Sequence, residues 1–275
     1  AALEEDKTVR HVCVRREEEL APLRGSKYVQ SETGEAFRQV RGLLAADTPV
    51  LFVGTACQVD GLLQYLGGPQ EKLLTCDLVC HGTPSPAVFR ACLDRLEEEQ
   101  GRQIAHVRPH FTVDFQDGTS WSEELYSTPF GRGFGASLYL RPACALCRYA
   151  STSRPADLTL GDFWGLDEAL ELPVDRDKGI SLVLVHTEKG REALDAAAPG
   201  LGKMERPLAE AVAGNPRLAS PVQANPRRAV FFAAFAAQPF AQVEKAFLAR
   251  PPLPYRAAAK VLSPAVKARI RSILK

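Results

Sequence analysis

The chain has 275 residues, of which 45% are hydrophobic and 24% charged, and its 34 Lys and Arg nearly balance 33 Asp and Glu for a formal net charge of +1. This near-neutral balance gives no support to nucleic-acid binding or to a membrane-surface role. No apolar run approaches the ~20 residues needed to cross a bilayer.

Strands and helices alternate through the first hundred residues. The predicted elements are strands at 8–14, 49–54 and 72–79 and helices at 34–45, 57–66 and 85–100. The continuous apolar run Pro49–Gly54 is typical of a strand buried on both faces. Pro86 suits the first turn of a helix. The alternation predicts an α/β core with parallel strands.

The pattern then changes. Alternation from Ile104 to Trp121 around a Gln-Asp-Gly-Thr turn predicts an antiparallel hairpin. Later elements are predicted as strands at 156–163 and 180–186, a helix at 187–197 and basic helical sequence beyond Gln238. We therefore predict a mixed, partly parallel sheet flanked by helices, with an inserted antiparallel hairpin and a helical C-terminal tail. Residues 1–240 are predicted to form the catalytic domain and 241–275 a helical extension.

Seven cysteines, an odd number, argue against a secreted disulfide framework and favour a reducing, cytoplasmic setting. The acidic, polar start predicts no signal peptide. Since the chain starts at Ala1 without a Met, we expect a fragment or a trimmed chain that lacks an N-terminal module.

Four cysteines lie in turn-like contexts suited to a metal centre: Cys57, Cys80, Cys144 and Cys147, here called the cysteine quartet. Cys57 and Cys80 each follow a predicted strand, where strand ends deliver side chains into a shared cleft. The other two form a Cys-x-x-Cys pair with both thiols on one turn. Iron–sulfur clusters take four cysteine thiolates and structural zinc can do the same, so the residues leave both open.

The other three cysteines, Cys13, Cys76 and Cys92, are predicted to be structural and to behave as small hydrophobes. His81, beside Cys80, is either a ligand, a proton shuttle or a turn residue.

Three polar segments suit a cofactor. The turn Gly54–Gln58 opens a helix whose free N–H groups favour anions. The loop Ser26–Ser31 offers a cation, an aromatic ring and hydroxyl groups, and Lys178 lies on a glycine turn before a strand. The turn Gly54–Gln58 is equally consistent with an ordinary βα turn that holds a buried cysteine, and by composition alone the other two segments are more typical of solvated loops. Neither a Gly-x-Gly-x-x-Gly fingerprint nor a P-loop is present.

Together these motifs resemble the beta subunits of coenzyme F420 hydrogenases and dehydrogenases. The matching segments are Ser26–Ser31, Gly54–Leu62, Asp77–Pro86, Arg141–Cys147, Asp157–Gly165 and Lys178–Ser181. Ala56 departs from the pattern, because the family often has Pro there. The resemblance implies a flavin, FAD or FMN, beside a 4Fe-4S cluster in an α/β fold.

The resemblance also implies roles for residues and partners. The quartet becomes the set of cluster ligands. The implied flavin contacts are Ser26, Lys27, Gln30, Ser31, Gly54, Thr55, Gln58 and Lys178. Electrons would pass between a ferredoxin-like partner, or an N-terminal ferredoxin module, and a small-molecule hydride acceptor or donor such as a deazaflavin coenzyme.

A second hypothesis comes from a different class. The quartet would bind structural zinc in a non-catalytic adaptor subunit of a redox complex. The basic tail 265–275, with Val266, Ile270, Ile273 and Leu274 on one side, would then be either a docking helix or a helix packed on its own domain.

Overall fold

The structure is a computed structural model that describes residues 1–108, 111–167, 170–172 and 175–250. Its strands are β1 (Ala2–Leu3), β2 (Val9–Arg10), β3 (Val50–Thr55), β4 (Leu73–Leu78), β5 (Ile104–Arg108), β6 (Thr112–Phe115), β7 (Ser120–Ser122), β8 (Leu158–Asp162) and β9 (Ser181–Val185). Its α-helices are α1 (Ala36–Ala45), α2 (Ala56–Leu66), α3 (Pro86–Gln100), α4 (Pro129–Gly135), α5 (Glu188–Ala197), α6 (Leu208–Gly214), α7 (Arg228–Ala237) and α8 (Phe240–Val243). The α/β prediction is confirmed.

The central sheet has the strand order β3-β4-β8-β9. The first three strands are parallel, and β9 runs antiparallel to β8. The parallel strands therefore finish at one edge of the sheet, with Thr55, Leu78 and Asp162 as their last residues. The predicted hairpin is also confirmed, as the antiparallel sheet β5-β6-β7.

Helices α1 and α2 cover one face of the central sheet. Val40 and Val59 from these helices are buried against Phe52 and Leu73 from the strands. In β3, Leu51 and Val53 flank Phe52 and point away from these helices. Their side chains are 59% and 41% exposed. The prediction that this strand is buried on both faces is therefore wrong. An unbroken apolar run does not show whether a strand lies at the edge of the sheet. This strand does, and α1 and α2 cover one of its faces.

A second core joins α3, α4, α7 and α8. Its largest fully buried side chains are Phe130, Tyr139 and Phe231. Helix α4 contains three glycines, and its formation could not be predicted from propensity. A Cβ on Gly131 would overlap the carbonyl of Leu125, so close packing requires the glycine that a helix otherwise disfavours.

The described chain ends in this second core. Val243 and Leu248 are buried there, and Arg132 Nε donates to the Leu248 carbonyl at 2.7 Å. The predicted tail 265–275 lies outside the described residues, and the domain boundary at residue 240 stays a prediction. None of the helices in the described ranges has the length and apolarity to span a bilayer.

Candidate metal centre

Cys57 occupies the first turn of α2, directly after β3. Thr55 precedes the helix, and its backbone N–H donates to Gln58 Oε1 at 3.0 Å, which fixes the turn. Thr55 Oγ1 lies 3.2 Å from Cys57 Sγ. The thiol is therefore held in the first turn of the helix, beside the Thr55 hydroxyl.

Cys80 and Cys144 are brought together by the backbone that follows β4. The residues after Cys80 form an isolated antiparallel bridge, Pro84 to Leu140, and the Arg141 N–H donates to the Thr83 carbonyl at 3.0 Å. The Thr83 N–H in turn donates to Cys144 Sγ at 3.4 Å. The β-bridge, a backbone hydrogen bond and an N–H···S contact thus join the Cys80 turn to the Cys-x-x-Cys loop.

The same loop is tied to helix α2 on its other side. Asp60 Oδ2 accepts from Arg148 Nη2 and from the Tyr149 hydroxyl, both at 2.6 Å. Asp60 lies one turn after Cys57, and Arg148 directly follows Cys147. The loop therefore spans the two βα connections that carry Cys57 and Cys80.

The other three thiols of the quartet all act electrostatically on the Cys80 thiol. Burial raises the pKa of the Cys80 thiol to about 12, and the sulfurs of Cys144, Cys57 and Cys147 act in the same direction while the Gly82 N–H opposes them. The structure thus places the other three sulfurs within electrostatic range of this one. A buried thiol of this kind stays protonated at neutral pH unless a metal or cluster replaces its proton.

The thiol arrangement differs from a preformed single-ion site. Within the described ranges, no group of three or more His, Cys, Asp or Glu side chains is arranged to hold a metal ion. Tetrahedral zinc with Zn–S bonds of about 2.3 Å needs its sulfurs only about 3.8 Å apart. An iron–sulfur cluster binds each cysteine to a different iron and accepts thiols spaced more widely.

A buried charge network supports the strand end before Cys80. Asp77 Oδ1 accepts from Arg154 Nε at 2.9 Å and from the Thr159 hydroxyl at 2.6 Å. Because that hydroxyl donates its proton to Asp77, His186 Nε2, 2.8 Å from Thr159 Oγ1, must carry the hydrogen of their shared bond. Burial raises the pKa of Asp77, and Thr159 and Arg154 oppose that effect.

His186 predicts a pH dependence of stability. Burial lowers its pKa from the ordinary 6.5, so the unfolded chain binds the proton more readily. The contribution of His186 is present above about pH 6.5 and is lost as the pH falls below it. We expect His186→Gln, which keeps a donor for Thr159, to lose less stability than the unsubstituted protein between about pH 7 and 5. Urea unfolding between pH 7 and 5 measures the free energy of unfolding of both proteins. If it fell equally with pH in both, His186 would not be the source of the pH dependence.

The predicted flavin contacts fall into separate places. Gln58 Nε2 donates to Ser31 Oγ at 3.0 Å, so Ser31, Gly54, Thr55 and Gln58 do meet beside Cys57. The Gln30 N–H donates to the Pro84 carbonyl at 3.3 Å, which puts that loop against the Cys80 turn.

The remaining flavin candidates lie away from this group or are bound locally. Lys27 Nζ donates to the carbonyls of Pro22 and Arg24. Ser26 and Lys27 line a hollow of about 30 Å³, far smaller than the 300–1,000 Å³ typical of ligand pockets. Lys178 is exposed, just before β9 at the edge where the parallel strands end.

The other cysteines divide as follows. Cys76 and Cys92 are buried, as predicted, whereas Cys13 is exposed, so its prediction as a buried structural residue is wrong. Its short strand ends at Arg10, which leaves Cys13 in the loop beyond. His81 packs edge-on against Phe134 at 5.1 Å, and burial lowers its pKa.

Sequence reasoning missed three supporting residues: Asp60, Thr83 and Arg154. Asp60 and Thr83 lie inside the motif segments Gly54–Leu62 and Asp77–Pro86, so these motifs could have identified them from the sequence. Arg154 lies in none, and its partners are distant in sequence.

Over residues 47–205, more than half of its length, the chain matches a protein family described as the C terminus of the coenzyme F420 hydrogenase/dehydrogenase beta subunit. The match contains the whole quartet and the flavin candidates from Gly54 onward; the loop Ser26–Ser31 lies before it. No curated protein matches the chain.

Proposed function

Since the chain belongs to the family of coenzyme F420 hydrogenase/dehydrogenase beta subunits, we propose that it is an iron–sulfur flavoprotein oxidoreductase. Membership makes it a subunit-type component of redox enzymes. The finer proposal is that the quartet ligates a 4Fe-4S cluster and that a flavin, FAD or FMN, binds beside Cys57. The observation that carries it is that hydrogen bonds join the three segments that hold the quartet, with the half-buried Cys80 thiol under the electrostatic influence of the other three.

The donor set fits the cluster in number and type. Four sulfurs come from three chain segments, and each segment is fixed to another by hydrogen bonds rather than by the metal alone. The Thr83 N–H would remain on Cys144 sulfur as a donor that tunes the reduction potential. When bound, the cluster supplies single-electron transfer and the flavin exchanges single electrons for a hydride.

The flavin part of the proposal rests on the turn that follows β3. A Cβ on Gly54 would be crowded, 3.1 Å from the Phe52 ring and 3.2 Å from Gln58 Oε1. The turn presents helix N–H groups to an anion, and the adjacent amide and hydroxyl groups of Gln58 and Ser31 supply polar contacts. We further propose a ferredoxin-like electron partner or module and a small organic hydride acceptor or donor.

Anaerobic purification with elemental analysis tests the proposal. For a 4Fe-4S cluster on the quartet we expect about four irons per chain and matching sulfide, with flavin bands above the broad absorption of the cluster. One zinc per chain in a colourless protein would overturn the proposal and would support the zinc-stapled adaptor. Iron without flavin would retain the cluster assignment and reject the flavin site.

A further inference from the structure

Arg154 is buried among three acceptors from different parts of the fold. Its side chain is 2% exposed. Nε donates to Asp77 Oδ1 at 2.9 Å, Nη1 to the Tyr149 carbonyl at 2.8 Å and Nη2 to the Leu78 carbonyl at 2.7 Å. One guanidinium therefore uses its planar set of donors to join three points of the backbone and side chains.

Two of these acceptors flank the quartet. Leu78 is the last residue of β4, two positions before Cys80, and Tyr149 comes two positions after Cys147. The guanidinium is thus a direct bridge between the segments that carry these two cysteines. Asp60 joins helix α2 to this loop and Thr83 joins the Cys80 turn to Cys144 near its start, whereas Arg154 joins the end of β4 to the loop after Cys147.

The ion pair explains why a charged group is buried here. Asp77 is fully buried, its Oδ2 has no hydrogen-bond partner, and Arg154 is its ion-pair partner among the described residues. Burial of both charges is costly unless they are paired and hydrogen-bonded. This pairing fixes the guanidinium, and the fixed guanidinium in turn fixes the two carbonyls.

We propose that Arg154 is a positioning residue that sets the separation of Cys80 and Cys147. This proposal rests on the proposed function, since the separation matters because both cysteines hold the cluster. A lysine would keep a cation near Asp77, but a single ammonium group on a flexible stem cannot reproduce the three-way bridge. Arg154→Lys therefore separates charge neutralisation from positioning.

The control lies at the other end of the same sheet. Lys189 Nζ donates to the Gln70 carbonyl at 3.0 Å and pairs with Asp157 Oδ2 at 3.6 Å, near the start of β4. Lys189→Met removes a partly buried cation from a buried carboxylate without touching the quartet. Its loss of thermal stability provides the comparison for a purely structural effect.

Amide hydrogen exchange, iron-to-protein ratio and the electron paramagnetic resonance spectrum of the reduced protein test the proposal. For Arg154→Lys we expect about tenfold faster exchange in both 78–83 and 147–153, a lower iron ratio and a changed spectrum. Lys189→Met should change none of these. The proposal would be overturned by an unchanged exchange rate in either segment, or by an equal increase in Lys189→Met. It would also be overturned if exchange became faster in Arg154→Lys while the iron ratio and spectrum stayed the same.

The exchange comparison separates this proposal from the function it rests on. If the unsubstituted protein contains no iron and sulfide, the proposed function fails. Exchange of the two segments then still decides whether Arg154 bridges them, because that measurement needs no bound group.

Discussion

Cys80→Ser is expected to lose essentially all iron and sulfide together with any reductase activity. Cys80 would bind one iron of the cluster, so its removal would leave that iron without its protein ligand. A serine hydroxyl gives up its proton far less readily than a thiol and is a harder ligand than iron–sulfur clusters prefer. Iron and sulfide analysis with visible absorption, on anaerobically purified protein, measures the effect.

Cys76→Ala is the matched control for this experiment. Cys76 lies four residues earlier, in β4 itself, and burial raises the pKa of its thiol to about 11. It belongs to the same segment as Cys80, which is half-buried two residues beyond the strand, but is not among the thiols that affect Cys80. We expect Cys76→Ala to keep its iron and to lose roughly 1–2 kcal/mol of stability, as for a small cavity. Full iron in Cys80→Ser, or equal loss in both variants, would contradict the ligand assignment.

The same substitution separates cluster from structural zinc. Loss of a structural zinc ligand removes folding free energy directly, since metal binding is then part of folding. Cys80→Ser would in that case release zinc and unfold. The hydrophobic clusters beneath the central sheet and around Phe130 predict instead that the variant stays folded. Circular dichroism beside the metal analysis distinguishes the two results.

The convergence of the quartet could be predicted in part from the sequence. Apolar runs followed by Cys57 and Cys80 predicted strand ends, and parallel strands deliver their ends to one edge. The position of the Cys-x-x-Cys pair could not be derived in this way. It depends on the bridge from Pro84 to Leu140 and on hydrogen bonds between residues more than fifty positions apart.

Other features depended on packing that a local pattern does not contain. The run Val50–Thr55 has the same apolar character whether helices cover one face or both, so the exposure of Leu51 and Val53 was not predictable. Helix α4 forms because its glycines allow close contact with neighbouring backbone, against their helix propensity. An arginine is usually exposed, and the burial of Arg154 is explained by its ion pair with Asp77 of strand β4.

Gly82→Ala is expected to damage both stability and iron binding, since Gly82 forms the turn between Cys80 and the Cys-x-x-Cys loop. Its φ of +133° is one that residues with a Cβ rarely adopt. An added Cβ would also come 2.8 Å from Leu140 Cδ1 and 3.4 Å from Cys144 Cβ. Strained backbone of this kind costs about 1–3 kcal/mol, and here relief of the strain must move Leu140 or Cys144.

Gly67→Ala isolates the backbone strain from these contacts. Gly67 ends α2 with a φ of +80°, and a Cβ there meets open space. Its substitution should cost only about 1 kcal/mol and leave iron binding unchanged. Urea unfolding and iron analysis of both variants give the comparison. If Gly82→Ala lost no more stability than Gly67→Ala and bound its full iron, Gly82 would not set the approach of Cys144 to Cys80. A larger loss with reduced iron would place the turn at Gly82 among the determinants of the cysteine quartet.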